Sequence, residues 1–164
     1  MFTNKIDFEN FRFKTSNKKI SNFLKKILNQ DNEIINSLKN TYKDSYKKKN
    51  FSKFKKFSEF NLIGIGGSIL GTKAIFSFLN NEIKKRFNFI ENYNFQKTNI
   101  KNKKKTLNII ISKSGNTLET ITNSNLNLNL AKDNLFITEN KDSYLMNLAK
   151  KLKYEIVHHN NFIG

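Results

Sequence analysis

Asn61-Leu62-Ile63-Gly64-Ile65-Gly66-Gly67-Ser68-Ile69-Leu70-Gly71 is the stretch on which the fold of this 164-residue chain turns. A short apolar run, Leu62–Ile65, is interrupted by glycines and followed at once by a second apolar segment, Ile69–Phe78. The first reads as a buried strand and the second as a helix, joined by a tight glycine turn. The same succession recurs at Leu107–Ile111, where an apolar strand runs into Ser112-Lys113-Ser114-Gly115-Asn116-Thr117 and a helix from about Thr117 to Ala131.

Outward from these two units the alternation continues. Leu135–Thr138 reads as a strand, Ser143–Leu152 as a helix and Tyr154–Val157 as a strand. Strands alternating with helices predict an α/β fold, a parallel sheet with helices on both faces. Asn125-Leu126-Asn127-Leu128-Asn129-Leu130 alternates with period two. It is nevertheless assigned to a helix, because asparagine is a poor strand former and parallel strands need a crossover between them. Residues 86–105 are polar and too long for an ordinary loop, which predicts a surface insertion and a sheet of four strands.

Upstream the texture differs. Residues 1–16 show no clear period and suit a short strand or an unfixed arm. Ile20, Phe23, Leu24, Ile27 and Leu28 fall at i, i+3, i+4, i+7 and i+8, the stripe of an amphipathic helix. Asp31 is placed as N-cap of a second short helix carrying Ile34, Ile35 and Leu38. Residues 41–58 hold a lysine run broken by Phe51, Phe54 and Phe57, read as a solvated connecting helix with its phenylalanines turned inward. The expected division is a helical leader, 1–58, and a ligand-binding domain, 59–164.

Composition excludes several chemistries. There is no cysteine, hence no disulfide, thiolate metal site or cysteine nucleophile. The histidines are His158 and His159, too few for a histidine-rich metal site. No apolar stretch approaches a membrane span and no signal peptide is evident, so a cytoplasmic location without a membrane partner is expected. The net charge of +17 comes from 30 basic and 13 acidic residues. Only Arg12 and Arg86 are arginine, whereas asparagine, lysine, isoleucine and phenylalanine abound, as a coding bias toward A and T would produce. Readers of phosphates and bases favour arginine for its planar fork. The charge is therefore attributed to composition, with no nucleic-acid partner expected.

The two strand-to-helix turns carry the chemistry. Gly66 and Gly67 allow close approach of backbone to a ligand, and Ser68 sits where helix amides can face an anion or a sugar hydroxyl. Taken alone, that turn reads equally as a structural one with Ser68 as N-cap. It lacks the last glycine of a dinucleotide fingerprint and the lysine and threonine of a P-loop. Ser112, Ser114 and Thr117, beside Gly115, offer hydroxyls at a helix start, a cradle for phosphate that Lys113 could supplement with charge or with its amide. The alternative at Thr117–Glu119 is a plain capping box. Both turns lie at one edge of a parallel sheet, which favours phosphate.

Together, Gly64-Ile65-Gly66-Gly67-Ser68-Ile69-Leu70-Gly71 and Ile111-Ser112-Lys113-Ser114-Gly115-Asn116-Thr117-Leu118-Glu119-Thr120 resemble the first sugar-isomerase (SIS) domain of the glucose-6-phosphate isomerase family. The resemblance implies a flavodoxin-like three-layer sandwich and aldose–ketose isomerisation of glucose 6-phosphate and fructose 6-phosphate through an enediol, in glycolysis and gluconeogenesis. It implies that Gly67 and Ser68 lie at the sugar end, and that Ser112, Lys113 (through its backbone), Ser114 and Thr117 hold the phosphate. Glu119 takes a supporting place, with no proton to transfer. The catalytic base, ring-opening histidine, arginine and lysine of the family are expected in sequence beyond Gly164, so the chain resembles an amino-terminal fragment that is inactive by itself. No metal and no cofactor is called for, and the full-length family protein is expected to be a homodimer. Similar loops occur in bifunctional glucose/mannose-6-phosphate isomerases. They occur too in sugar-phosphate-responsive transcription regulators, whose recognition helix this leader lacks.

Overall fold

A computed structural model of the protein describes residues 18–43, 46–93, 105–131 and 133–163. The expectation for residues 1–16 falls outside these residues. The chain divides into two compact units, Met1–Lys43 and Asp44–Gly164. The first contains α1 (Lys18–Leu28) and the short α2 (Glu33–Ser37). On α1 the stripe from Ile20 to Leu28 is present and solvent-exposed. Asn32, not Asp31, caps α2, its side chain accepting from the Ile34 amide at 2.8 Å. Asp31 is used one turn on, where it accepts from the Asn36 side chain. No helix among the described residues is long and apolar enough to cross a membrane.

The second unit is built on five strands, β1 (Glu59–Ile63), β2 (Arg86–Ile90), β3 (Thr106–Ile111), β4 (Asp133–Glu139) and β5 (Glu155–His159). All pair in parallel in the order β2-β1-β3-β4-β5. The sheet therefore has five strands instead of four. The expected surface insertion at 86–105 is corrected at its start, since Arg86–Ile90 forms the edge strand β2; residues 94–104 fall outside the described set. Phe87 and Phe89 alternate there with Asn88 and Ile90, a strand period hidden by polar neighbours.

Three helices follow strands, α3 (Gly67–Phe78), α4 (Leu118–Asn127) and α5 (Tyr144–Lys151). Each sheet face has its own core, as the two-residue period of a strand demands. One joins Phe60, Leu62, Leu107 and Leu135 to Ile69 of α3 and to Phe57. The other joins Ile63, Ile90, Ile110 and Phe136 to Leu145 and Ala149 of α5, with Ile121 of α4 against it. The lysine-rich segment is a 3-10 helix, Lys48–Lys56. Spacing its phenylalanines by three suits that period, and Phe51 and Phe54 pack against the core in which Phe57 is buried. This segment thus belongs to the compact unit that holds the sheet.

Strand register is fixed by a polar ladder as well as by apolar burial. Asn88, Asn61, Asn108 and Asn134 stand in register on adjacent strands. Each Nδ2 donates to the next Oδ1 at 2.8 Å, from Asn88 to Asn61, Asn61 to Asn108 and Asn108 to Asn134. Asn61 and Asn108 are wholly buried, so a one-residue slip would leave amides unpaired at a cost of about 1–3 kcal/mol each. The ladder also accounts for the asparagine–leucine alternation. The chain is α-helical through Asn127 and 3-10 over Leu128–Leu130. The Asn127 and Leu128 carbonyls there accept from Asn108 and Asn134.

Candidate functional site

In a 2-1-3-4-5 sheet the connections leave β1 and β3 in opposite directions, opening a crevice beyond their carboxyl ends. β1 and β3 are neighbours in space, Ile63 opposite Ile110, although β2 separates them in the chain. The two loops singled out in the sequence are those that follow these strands. They approach so closely that a Cβ at Gly64 would lie 2.9 Å from the Ile111 carbonyl oxygen.

On the β1 side, Gly66 has φ 55° and ψ −130°, a conformation essentially restricted to glycine. Its carbonyl accepts from the amides of Ile69 and Leu70, starting α3. Ser68 is accordingly the second residue of α3 and not its cap, and the exposed Gly67 opens the helix. Ile69, fully buried, ties the helix to the sheet and so fixes Gly67 and Ser68 at its mouth.

On the β3 side the hydroxyls converge. Ser112 Oγ lies 3.1 Å from Thr117 Oγ1, and Ser114 Oγ lies 3.4 Å from the same atom. Ser112 Oγ accepts from the Gly115 amide and Ser114 Oγ from the Asn116 amide, both at 3.2 Å. Thr117 has the extended backbone of an N-cap, yet its side chain caps no amide. The capping box is thus not formed; the Thr117 hydroxyl faces Ser112 and Ser114, leaving the first-turn amides of α4 to other acceptors. A tetrahedral oxyanion has acceptors for such a set of donors, and the positive end of the helix dipole favours it.

Lys113 is held by its backbone. Its carbonyl accepts from the Glu139 amide at 3.0 Å and from Thr138 Oγ1 at 3.2 Å. Its ammonium lies 3.6 Å from Glu139 Oε1, so much of its charge is already balanced by that carboxylate. Glu119, in the first turn of α4, is half-buried and forms no ion pair among the described residues.

Two residues of the turn shape the loop in a way that the sequence does not reveal. Gly115 has φ 67°, and its carbonyl accepts from the Leu145 amide. A Cβ there would overlap Ser143 Oγ and stand 2.9 Å from Thr138 Oγ1. Asn116 Oδ1 accepts from the Tyr144 amide at 2.8 Å, so the loop clamps onto the start of α5, whose N-cap is Ser143. Glycine and asparagine after a strand did signal a special turn. The element clamped, α5, lies too far along the chain to be read from that signal.

Comparison with known proteins gives a consistent picture. A family model described as phosphoglucose isomerase matches residues 12–154. A glucose-6-phosphate isomerase of Borrelia garinii subsp. bavariensis is 40% identical over 112 residues, covering 62% of this chain and 21% of that protein. One from Methanocaldococcus jannaschii is 37% identical over 131 residues, covering 73% and 27%. The chain thus spans about a quarter of the length of such relatives. Among solved structures, a hypothetical protein from Thermus thermophilus superposes with TM-score 0.62 and 25% identity, covering 71% of this chain and 32% of that one. The tagatose-6-phosphate ketose/aldose isomerase of Escherichia coli shares the fold, with TM-score 0.52 and 20% identity over 69% of this chain and 33% of its own. With the family model matched over most of its length, the chain belongs to the phosphoglucose isomerase family.

Proposed function

We propose that this chain is the phosphate-binding part of a glucose-6-phosphate isomerase. The observation that carries the reading is the convergence of the Ser112, Ser114 and Thr117 hydroxyls at the head of α4, beside the Gly66–Ser68 turn. Ser112, Ser114 and Thr117 donate to the phosphate, joined by the Lys113 amide, while Gly67 and Ser68 face the sugar. Glu119 keeps a supporting role near the bound sugar. The helical leader and the sheet domain, to which the lysine-rich segment before β1 belongs, serve as one portion of a cytoplasmic homodimer.

The reaction is ring opening and proton transfer between C1 and C2 through an enediol. It requires a general base at the C2 proton and a cation near the developing oxyanion. The phosphate cradle supplies binding, and binding felt equally by ground and transition states does not speed proton transfer. The chain alone binds sugar phosphate and leaves it unisomerised. In a titration of the chain with inorganic phosphate or glucose 6-phosphate, amide resonances of residues 112–118 shift, and Ser114→Asp abolishes the shifts by like-charge repulsion. Unmoved resonances at millimolar ligand would remove the cradle from the mechanism.

A further inference from the structure

Basic charge in the unit Asp44–Gly164 is placed as well as abundant. Lys55 and Lys56 precede β1, Lys84 and Lys85 precede β2, Lys105 precedes β3 and Lys153 precedes β5. Because the strands are parallel members of one sheet, the residues before them line one edge. That edge is opposite the one bearing Gly66–Ser68 and Ser112–Thr117. At the carboxyl edge the balance differs: Lys113 faces Glu139, Lys73 pairs with Glu91, and Glu119 and Asp142 stand nearby in the chain against Lys141. A coding bias raises the number of lysines everywhere; it does not sort them to one edge.

Three of the acidic groups at the amino edge are already matched, whereas Glu82, ahead of Lys84, is exposed and forms no ion pair among the described residues. Glu59, 7% exposed, pairs with Arg86 at 3.8 Å, Asp133 with Lys56 at 3.7 Å, and Glu155 with Lys53. Lys55, Lys84, Lys105 and Lys153 are exposed and form no ion pair among the described residues. Five strands about 4.8 Å apart make an edge about 19 Å long. One strand of B-form duplex presents about six phosphates over that length.

We propose that the amino edge of the sheet is a sequence-independent surface for the phosphate backbone of nucleic acid, centred on Lys55, Lys84, Lys105 and Lys153. This replaces the expectation, drawn from composition, that no nucleic acid is bound. Lysine ammoniums are point charges that contact phosphates without reading bases, and the arginine at this edge, Arg86, is engaged by Glu59. The surface is separate from the sugar-phosphate cradle, so each stands or falls independently.

The test is fluorescence anisotropy of a labelled 20-base-pair duplex titrated with the full chain across a salt series. Four phosphate contacts give a slope of log affinity on log salt of about −3.6, a loss of about 150-fold between 50 and 200 mM salt. The quadruple variant Lys55→Gln, Lys84→Gln, Lys105→Gln, Lys153→Gln is expected to lose that slope. A control of equal net charge, Lys18→Gln, Lys25→Gln, Lys26→Gln, Lys43→Gln, is expected to keep it. Should the quadruple variant fail to fold, the pairs Lys55/Lys84 and Lys105/Lys153 are each expected to remove about half of it. Equal losses in edge variant and control would overturn the proposal in favour of net charge alone. So would absence of binding at 50 mM salt, or binding to phosphatidylserine vesicles but not to the duplex.

Discussion

Replacing Gly115 by alanine tests how the cradle is held. At φ 67° an alanine bears the strain of the left-handed region, about 1–2 kcal/mol. Its methyl group would also overlap Ser143 Oγ and stand 2.7 Å from Ser143 Cβ and 2.9 Å from Thr138 Oγ1. Such overlaps force the start of α5 away from the loop, adding about 1–3 kcal/mol. The sum is about 3 kcal/mol, and urea unfolding of the chain should register it directly. In a protein of this size the melting temperature would fall by about 6–12 °C. Gly66→Ala is the comparison, because Gly66 also has positive φ but no atom within 4 Å of the added carbon. It should cost only the backbone strain, about 1–3 kcal/mol. Ser143→Gly removes two of the three overlaps and leaves a residue acceptable at an N-cap. The double variant Gly115→Ala/Ser143→Gly should thus be more stable than the two single effects summed, by about 1–2 kcal/mol. If Ser143→Gly brings no relief to Gly115→Ala, the loop is not clamped by α5.

Other consequences are simpler to state. Asn108→Leu strips partners from Asn61, Asn134 and the Asn127 carbonyl together, and denaturant unfolding should show a loss of about 2–4 kcal/mol. Phe57→Ala, at a site 1% exposed, should cost about 3–5 kcal/mol in the same assay, tying the lysine-rich segment to the sheet. On the proposed function, a coupled assay of the chain alone should show no isomerisation of glucose 6-phosphate, a base and oxyanion groups together being worth at least about 10⁴-fold. Activity of the chain alone that disappears in Glu119→Gln would instead make Glu119 the base.

The parallel α/β class was legible in the bare sequence, because the apolar runs were short and alternated with helical segments, the first two running into glycine or serine turns. So were the two turns that hold the hydroxyls, since Ser112, Ser114, Thr117 and Ser68 stand within a few residues of their strands and local spacing suffices to group them. What escaped that reading rests on contacts between residues far apart in the chain. The strand Arg86–Ile90 was hidden because its pairing partner, β1, lies before α3, and an edge strand with half-buried phenylalanines resembles a polar loop in isolation. Folding alone explains why the alternating asparagines and leucines near residue 127 end a helix, for the carbonyls there bond to Asn108 and Asn134 across the sheet. Gly115 and Asn116 lie in a turn that the sequence shows, but their reason for being there is the start of α5, which packs against them in three dimensions. Composition gave the amount of basic charge, and the parallel order of the strands decided that so much of it faces one edge.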